Sequence, residues 1–239
     1  MCHKYAEAGA IVVLVGRNAE KGAVLEEKLR QSGADALFVR GDAGDKQSML
    51  DLCETVLSTY GKIDVLVNNA GINVSDKGRV PIYEFLDEDW HAIIQTDLTG
   101  VYFCSKQIIK HMIERKSGRI INISSIAGLV PLRNQCVFTA VKAGVINITK
   151  AMALELAPYG ILVNCICPGS IVSEGTQRIF YSDKERYDRF MSHVPLGRPG
   201  KPEEIAGATV FLSSDEITYM TGSVITIDGG WTCGFARDF

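Results

Sequence analysis

Short apolar runs alternate along this chain with longer stretches of helical period, and that alternation limits the folds open to it. Ala10–Val15, Ala36–Val39, Ile63–Val67, Arg119–Ile123, Leu162–Ile166 and Val224–Ile227 read as strands. Nearly continuous apolar strands must be covered on both faces, as in a parallel sheet held between helical layers. Asn18 is an N-cap for a helix that runs to about Ser32, before Gly33. Residues 46–60 place Met49, Leu50, Leu52, Cys53, Val56, Leu57 and Tyr60 on a 3.6-residue period, and Gly61 ends that helix. One long helix is expected from about Asp87 to Arg115 and another over about Gln135–Ala157. Pro202-Glu203-Glu204 opens a further helix, with proline at its first position and acids at its positive end. Strand–helix–strand units of this length predict an α/β fold, a doubly wound, Rossmann-like parallel sheet with right-handed crossovers. At 239 residues a single domain is expected, with residues 169–200 as an irregular lid.

Composition excludes several classes of function. The net charge of −3 argues against a nucleic-acid partner. No apolar stretch approaches the roughly 20 residues of a membrane helix. The N-terminus is too polar for a signal peptide, so a cytoplasmic setting is expected. The seven cysteines are an odd number and read as reduced, small core residues. Cys165-Ile166-Cys167 is read as pointing its two thiols to opposite faces of a strand, neither a zinc pair nor a redox motif. His91, His111 and His193 share no ligand spacing, so no metal site is expected. In the lid, Phe180, Tyr181, Tyr187, Phe190 and Met191 either line a substrate pocket or pack the lid onto the body. Arg178, Arg186 and Arg189 are read as solvated charges, with an acidic substrate as the alternative.

Ligands of such sheets bind beyond the carboxyl ends of the strands. Three small or glycine-bearing turns stand there: Asn68-Asn69-Ala70-Gly71, Ser124-Ser125-Ile126-Ala127-Gly128 and Cys167-Pro168-Gly169. At each, a backbone can approach a ligand closely. Lys142 lies one helical turn after Phe138, on the same face.

With Lys142-Ala143-Gly144, Pro195-Leu196-Gly197-Arg198-Pro199-Gly200 and Asp228-Gly229-Gly230, these landmarks make the chain resemble the short-chain dehydrogenase/reductase family from about residue 3 to its end. The resemblance implies interconversion of alcohols and ketones with a nicotinamide cofactor. A serine polarises the carbonyl, a tyrosine transfers the proton, a lysine lowers the tyrosine pKa and holds the ribose, and an asparagine anchors a nearby water. Ser125 and Lys142 match that pattern. The tyrosine position holds Phe138, which has no hydroxyl, and the asparagine position holds Asp97, which adds a negative charge near Lys142. The family's first strand and Gly-rich turn have no counterpart, and residues 2–9 resemble the tail of the helix that follows that turn. A lost central strand leaves two rows of unpaired backbone groups, forces Ala10–Val15 to pair with Ile63–Val67, or leaves a gap for another segment.

The resemblance places NADP, with NAD as the alternative. Arg17, after Gly16, stands where an acid would hold the adenine ribose, and a guanidinium there suits a 2′-phosphate. Asp42 is expected beside the adenine, or as a helix cap. Asn68, Ala70 and Gly71 are expected on the adenosine side, Lys142 at the nicotinamide ribose, and Pro168, Gly169, Ile171 and Ser173 around the nicotinamide. The two long helices are expected to build a homo-oligomer, a tetramer or dimer. Two functions remain: an oxidoreductase impaired by Phe138, or a non-catalytic relative serving as a scaffold or partner subunit.

Overall fold

The computed structural model of the chain describes residues 1–74, 78–173, 176–177, 181 and 183–234. A short helix α1 (Cys2–Glu7) precedes β1 (Val12–Gly16). Helix α2 (Ala19–Gln31) leads to β2 (Ala36–Arg40), and α3 (Lys46–Tyr60) leads to β3 (Val65–Asn68). Helices α4 (Asp87–Ile94) and α5 (Gly100–Arg115) precede β4 (Gly118–Ile123), and α6 (Cys136–Leu156) precedes β5 (Ile161–Pro168). The chain then forms α7 (Lys184–Met191), α8 (Pro202–Ser213) and β6 (Val224–Ile227). Every strand pairing is parallel. The α/β Rossmann-like class expected from the apolar runs is the one observed.

Local chemistry sets the boundaries. The Asn18 side chain accepts the Lys21 N–H at 2.9 Å, and Asp45 accepts the Ser48 N–H at 2.6 Å. Each satisfies an amide that the first helical turn leaves without a partner. Gly61 closes α3 in the left-handed region at φ +72°, where a side chain would be strained.

The strands form two sheets. One is β1–β2; the other is β3–β4–β5–β6. Direct pairing of Ala10–Val15 with Ile63–Val67 is not what the structure adopts: among the described residues β1 pairs with β2, and β3 pairs with β4. Helix α1 ties the two parts together. Its Cys2, Tyr5 and Ala6 pack against Val12 and Leu14 of β1, while the Tyr5 hydroxyl donates to the Thr209 carbonyl of α8 at 3.1 Å. The main core lies where α5 and α6 meet the larger sheet, and Met112, Ile120, Ile161 and Val163 are wholly buried there.

Three expectations are corrected. The stretch from Asp87 to Arg115 is not a uniform helix, because it widens into a π-helical turn over Gln95–Thr99. Cys165 and Cys167 share one face of β5 and pack together with Ile146. Strand side chains alternate with a period of two, so residues two apart point the same way. The Cys165 thiol, hydrogen-bonded to Cys167 and buried, is held well above the ordinary thiol range. Finally, Cys136–Tyr159 does have the length and apolar character of a membrane span. Val137, Val141, Val145 and Ala153 of α6 are buried, and the helix packs along β5, so it serves as a core helix here.

Candidate active site

A pocket of about 280 Å³ opens at the carboxyl ends of the larger sheet. Its walls are Gly71, Ile72 and Asn73 after β3, Ser124 and Ser125 after β4, and Pro168 and Gly169 at the end of β5. Phe138 and Lys142 from α6 and Asp97 from the π-helical turn complete it. The structure thus brings together Ser125, Phe138, Lys142, Asp97, Gly71, Pro168 and Gly169, all expected at the site from the sequence.

The serine turn is fixed against α6. Ser124 donates its hydroxyl to the Lys142 carbonyl at 2.7 Å. Ser125 accepts the Ala127 N–H at 3.1 Å on its hydroxyl oxygen, which leaves the hydroxyl proton available. Gly128 permits this seating: a Cβ there would stand 2.6 Å from the Lys142 carbonyl carbon. So Gly128 lets the turn approach α6, whereas the sequence suggested approach to a ligand. Gly169 behaves alike, since its Cβ would meet the Asp228 Cα at 2.7 Å.

Asp97 and Lys142 form a buried ion pair. Lys142 Nζ lies 3.0 Å from Asp97 Oδ2, with side chains 8% and 0% exposed. The alignment at Oδ2 is that of an ionic contact rather than a directed hydrogen bond. Asp97 Oδ1 accepts the Ile72 N–H at 2.7 Å, so the carboxylate is anchored to the turn after β3. The extra residue in a π-helical turn re-aims side chains, and such turns recur at functional sites. Lys142 Nζ also faces the Phe138 ring, 5.4 Å from its centroid. The negative charge expected near Lys142 from the sequence is there, and the carboxylate reaches the ammonium directly.

Other expected residues fall elsewhere. Asn68 is buried, and its amide donates to Asn122 Oδ1 at 2.8 Å and Ser105 Oγ at 3.1 Å, a structural network below the site. Ala70 is exposed next to Gly71. Arg17 and Asp42 face each other at 3.9 Å beyond the ends of β1 and β2, Arg17 exposed and Asp42 half-buried. Asp42 accepts the Gly44 N–H at 2.9 Å, and the helix cap is Asp45. Ile171 packs into the core and bridges to Gly200, while Ser173 is exposed and bonded to Thr176. Asn73 and Gln135 were missed by sequence reasoning; the Asn73 amide donates to Gln135 Oε1 at 3.0 Å at the pocket edge. Position alone, two residues past the Asn-Asn-Ala-Gly motif, was the available signal for Asn73.

The described lid aromatics pack on one another and on Trp231 outside the lid. Tyr181 meets Tyr187 edge-on at 5.6 Å, and Phe190 meets Trp231 at 5.0 Å. The Tyr181 hydroxyl shares a hydrogen bond with Ser170, and burial pushes its phenol above the ordinary range. Arg178 and Phe180 lie outside the described residues. No cluster of three potential metal ligands occurs among the described residues.

Residues 1–232 match the family profile described as enoyl-(acyl carrier protein) reductase. The 3-oxoacyl-(acyl-carrier-protein) reductase FabG of Chlamydia pneumoniae is 36% identical over 228 residues, covering 95% of this chain and 89% of that protein. The cis-4-hydroxycyclohexanecarboxylate dehydrogenase of Sinomonas cyclohexanicum is 37% identical over 227 residues, covering 95% and 88%. A gluconate 5-dehydrogenase from Burkholderia cenocepacia J2315, solved with NADP and tartrate, superposes with a TM-score of 0.91 at 33% identity over 98% of this chain and 89% of that one. A tyrosine-to-phenylalanine variant of ElxO, solved with NADPH, superposes with a TM-score of 0.90 at 31% identity over 97% and 92%.

Proposed function

The chain belongs to the short-chain dehydrogenase/reductase family, and we propose that it acts there as an NADPH-dependent reductase of a small ketone or 3-oxoacyl thioester. One observation carries this reading: Ser125 and Lys142 share one pocket at the strand ends, with a hydroxyl and an ammonium in its wall. A carbonyl placed there has a donor for its oxygen, and charge developing on that oxygen has a cation nearby.

The pocket also fits the nicotinamide end of the cofactor. A Cβ at Gly71 would stand 3.0 Å from Asp97 Oδ2 and 3.4 Å from Lys142 Nζ, so the bare glycine leaves a cradle beside the lysine. Lys142 would hold the ribose, with Pro168 and Gly169 at the nicotinamide. When bound, the cofactor supplies a hydride. Arg17 at the exposed end of β1 favours the 2′-phosphate of NADP over NAD. Two similar structures hold NADP or NADPH, one of them a tyrosine-to-phenylalanine variant, which supports cofactor binding without every tyrosine hydroxyl. The FabG relative supports the 3-oxoacyl class. The reading also takes the protein as a cytoplasmic homo-oligomer whose seven cysteines are free thiols.

NADPH fluorescence titration followed by a carbonyl panel tests this proposal. Saturable micromolar binding and turnover of a 3-oxoacyl thioester or a keto acid are expected; no binding of NADPH or NADH overturns it. Phe138 favours a second reading, a cofactor-binding partner subunit without chemistry. Binding with no turnover across the panel would select it.

A further inference from the structure

We propose that Lys142 itself delivers the proton to the substrate oxygen, with Asp97 as the positioning residue that holds its ammonium. This inference rests on the reductase reading above.

The pocket wall carries few exchangeable protons. Ser124 has already given its hydroxyl to the Lys142 carbonyl. Asp97 accepts from Ile72 and faces the Lys142 ammonium, and an ionised carboxylate only accepts. Ser125 keeps its hydroxyl proton and serves to polarise the carbonyl, so its role is to donate a hydrogen bond rather than to give the proton up. Lys142 remains. Lys142 Nζ makes an ionic contact with Asp97 at 3.0 Å and a long hydrogen bond of 3.5 Å to the Ile123 carbonyl, so its three N–H groups are not all committed. Capacity is left for the pocket that Lys142 lines. The Phe138 ring lies 5.4 Å from Nζ and holds the ammonium at its face by cation–π attraction.

The step balances as a reduction. Bound NADPH would supply a hydride to the carbonyl carbon, and the π pair would move to oxygen. That oxygen takes a proton from Lys142 Nζ, leaving a neutral amine that solvent reprotonates through the open pocket. The net change is one carbonyl, one NADPH and one proton to one alcohol and one NADP. The substitutions at positions 97 and 138 then form one device: the carboxylate fixes the cation that takes over from the absent phenol.

The test uses the full chain. Arginine keeps the charge and the donors but does not release its proton. Because Lys142 also holds the ribose, Lys142→Arg is expected to weaken NADPH binding, and its rate is therefore read at NADPH concentrations that fluorescence titration shows to be saturating. Its single-turnover reduction rate should fall about 10²–10⁴-fold, the share of a general acid. Lys142→Ala should regain rate with added small primary amines, which also covers the case in which the arginine variant fails to fold. Asp97→Asn should lower kcat about tenfold and leave KM within about twofold, since a positioning role acts on the chemical step. An arginine variant that binds NADPH and reduces as fast as the parent overturns the proposal. So does an alanine variant that amines do not rescue, or a parent protein that binds NADPH and reduces nothing. Loss of NADPH binding by the parent itself strikes the reductase reading first, and this inference with it.

Discussion

At the scale of single residues, Phe138 is the position where sequence and chemistry meet most directly. It sits one helical turn from Lys142 on the pocket side of α6. A tyrosine there would bring a phenol beside the ammonium, and a nearby cation favours the ionised phenol. A positioned general acid contributes about 10²–10⁴-fold, and Lys142 already supplies part of that, so Phe138→Tyr is expected to raise kcat by about 10²-fold. Steady-state kinetics with the same carbonyl panel measures it, and an unchanged kcat would mean that proton delivery does not limit this site. Phe138 and Lys142 were legible as one face because they lie a turn apart on α6, whereas Ser125 was legible through the family resemblance alone. A negative charge near Lys142 was legible through the same resemblance, but the direct contact at 3.0 Å was not. Whether residue 97 meets Lys142 depends on the π-helical turn that carries it, and an ideal 3.6-residue period contains no such turn.

At the scale of elements, caps and apolar periods located most helices within a residue or two. Strand ends moved by up to two residues: Ala10–Val15 became Val12–Gly16, because apolar Ala10 and Ile11 precede the first ladder pair. The start of α8 shows how a local motif becomes a stability term. Glu204 returns to accept the Lys201 N–H at 2.7 Å and grips Arg198 with a forked pair at 2.8 and 2.9 Å. The Arg198 hydrogen bonds, followed by the Lys201 amide, pull its carboxyl from 4.5 down to about 2. A depressed folded pKa supplies stability above the ordinary carboxyl range and loses it as pH falls through the folded value. Glu204→Gln should therefore lower the urea midpoint at pH 7, and the difference from the parent should shrink between about pH 4.5 and pH 2. A gap that stays constant across that window would assign the effect to the amide's geometry.

For the whole molecule, the parallel α/β class was legible, since apolar strands separated by helices admit few other arrangements. The division into two sheets follows from long-range pairing, which a local pattern does not encode. Exposed apolar side chains on α4, α5, α6 and α8 have a consequence for assembly. Trp90 and Tyr102 are exposed on α4 and α5, and Leu154 and Phe211 on α6 and α8. Light scattering is expected to report at least twice the 26.1 kDa chain mass, and a monomer at micromolar concentration would refute burial of these faces between copies.

The two-sheet division also sets where the molecule opens first. A two-stranded sheet alone is marginal. On β1, Val15 is 46% exposed, whereas Ile120, Ile161 and Val163 of the larger sheet are wholly buried. The small sheet depends on α1, whose Tyr5 hydroxyl bonds to Thr209 and, at 2.7 Å, to Ser213 on α8. Tyr5→Phe removes these bonds and keeps the ring packed, at a cost of about 1 kcal/mol, or about fivefold in a local opening equilibrium. Amides of β1 and β2 should already exchange faster than those of β4 and β5 in the parent protein, because regions with fewer buried contacts open at lower free energy. In the variant their exchange should quicken by that same factor of about five while β4 and β5 stay unchanged. Hydrogen-exchange mass spectrometry resolves the two sheets by peptide. Equal acceleration in both would show that β1 and β2 open only with the whole molecule, and that α1 is no independent hinge between the two parts.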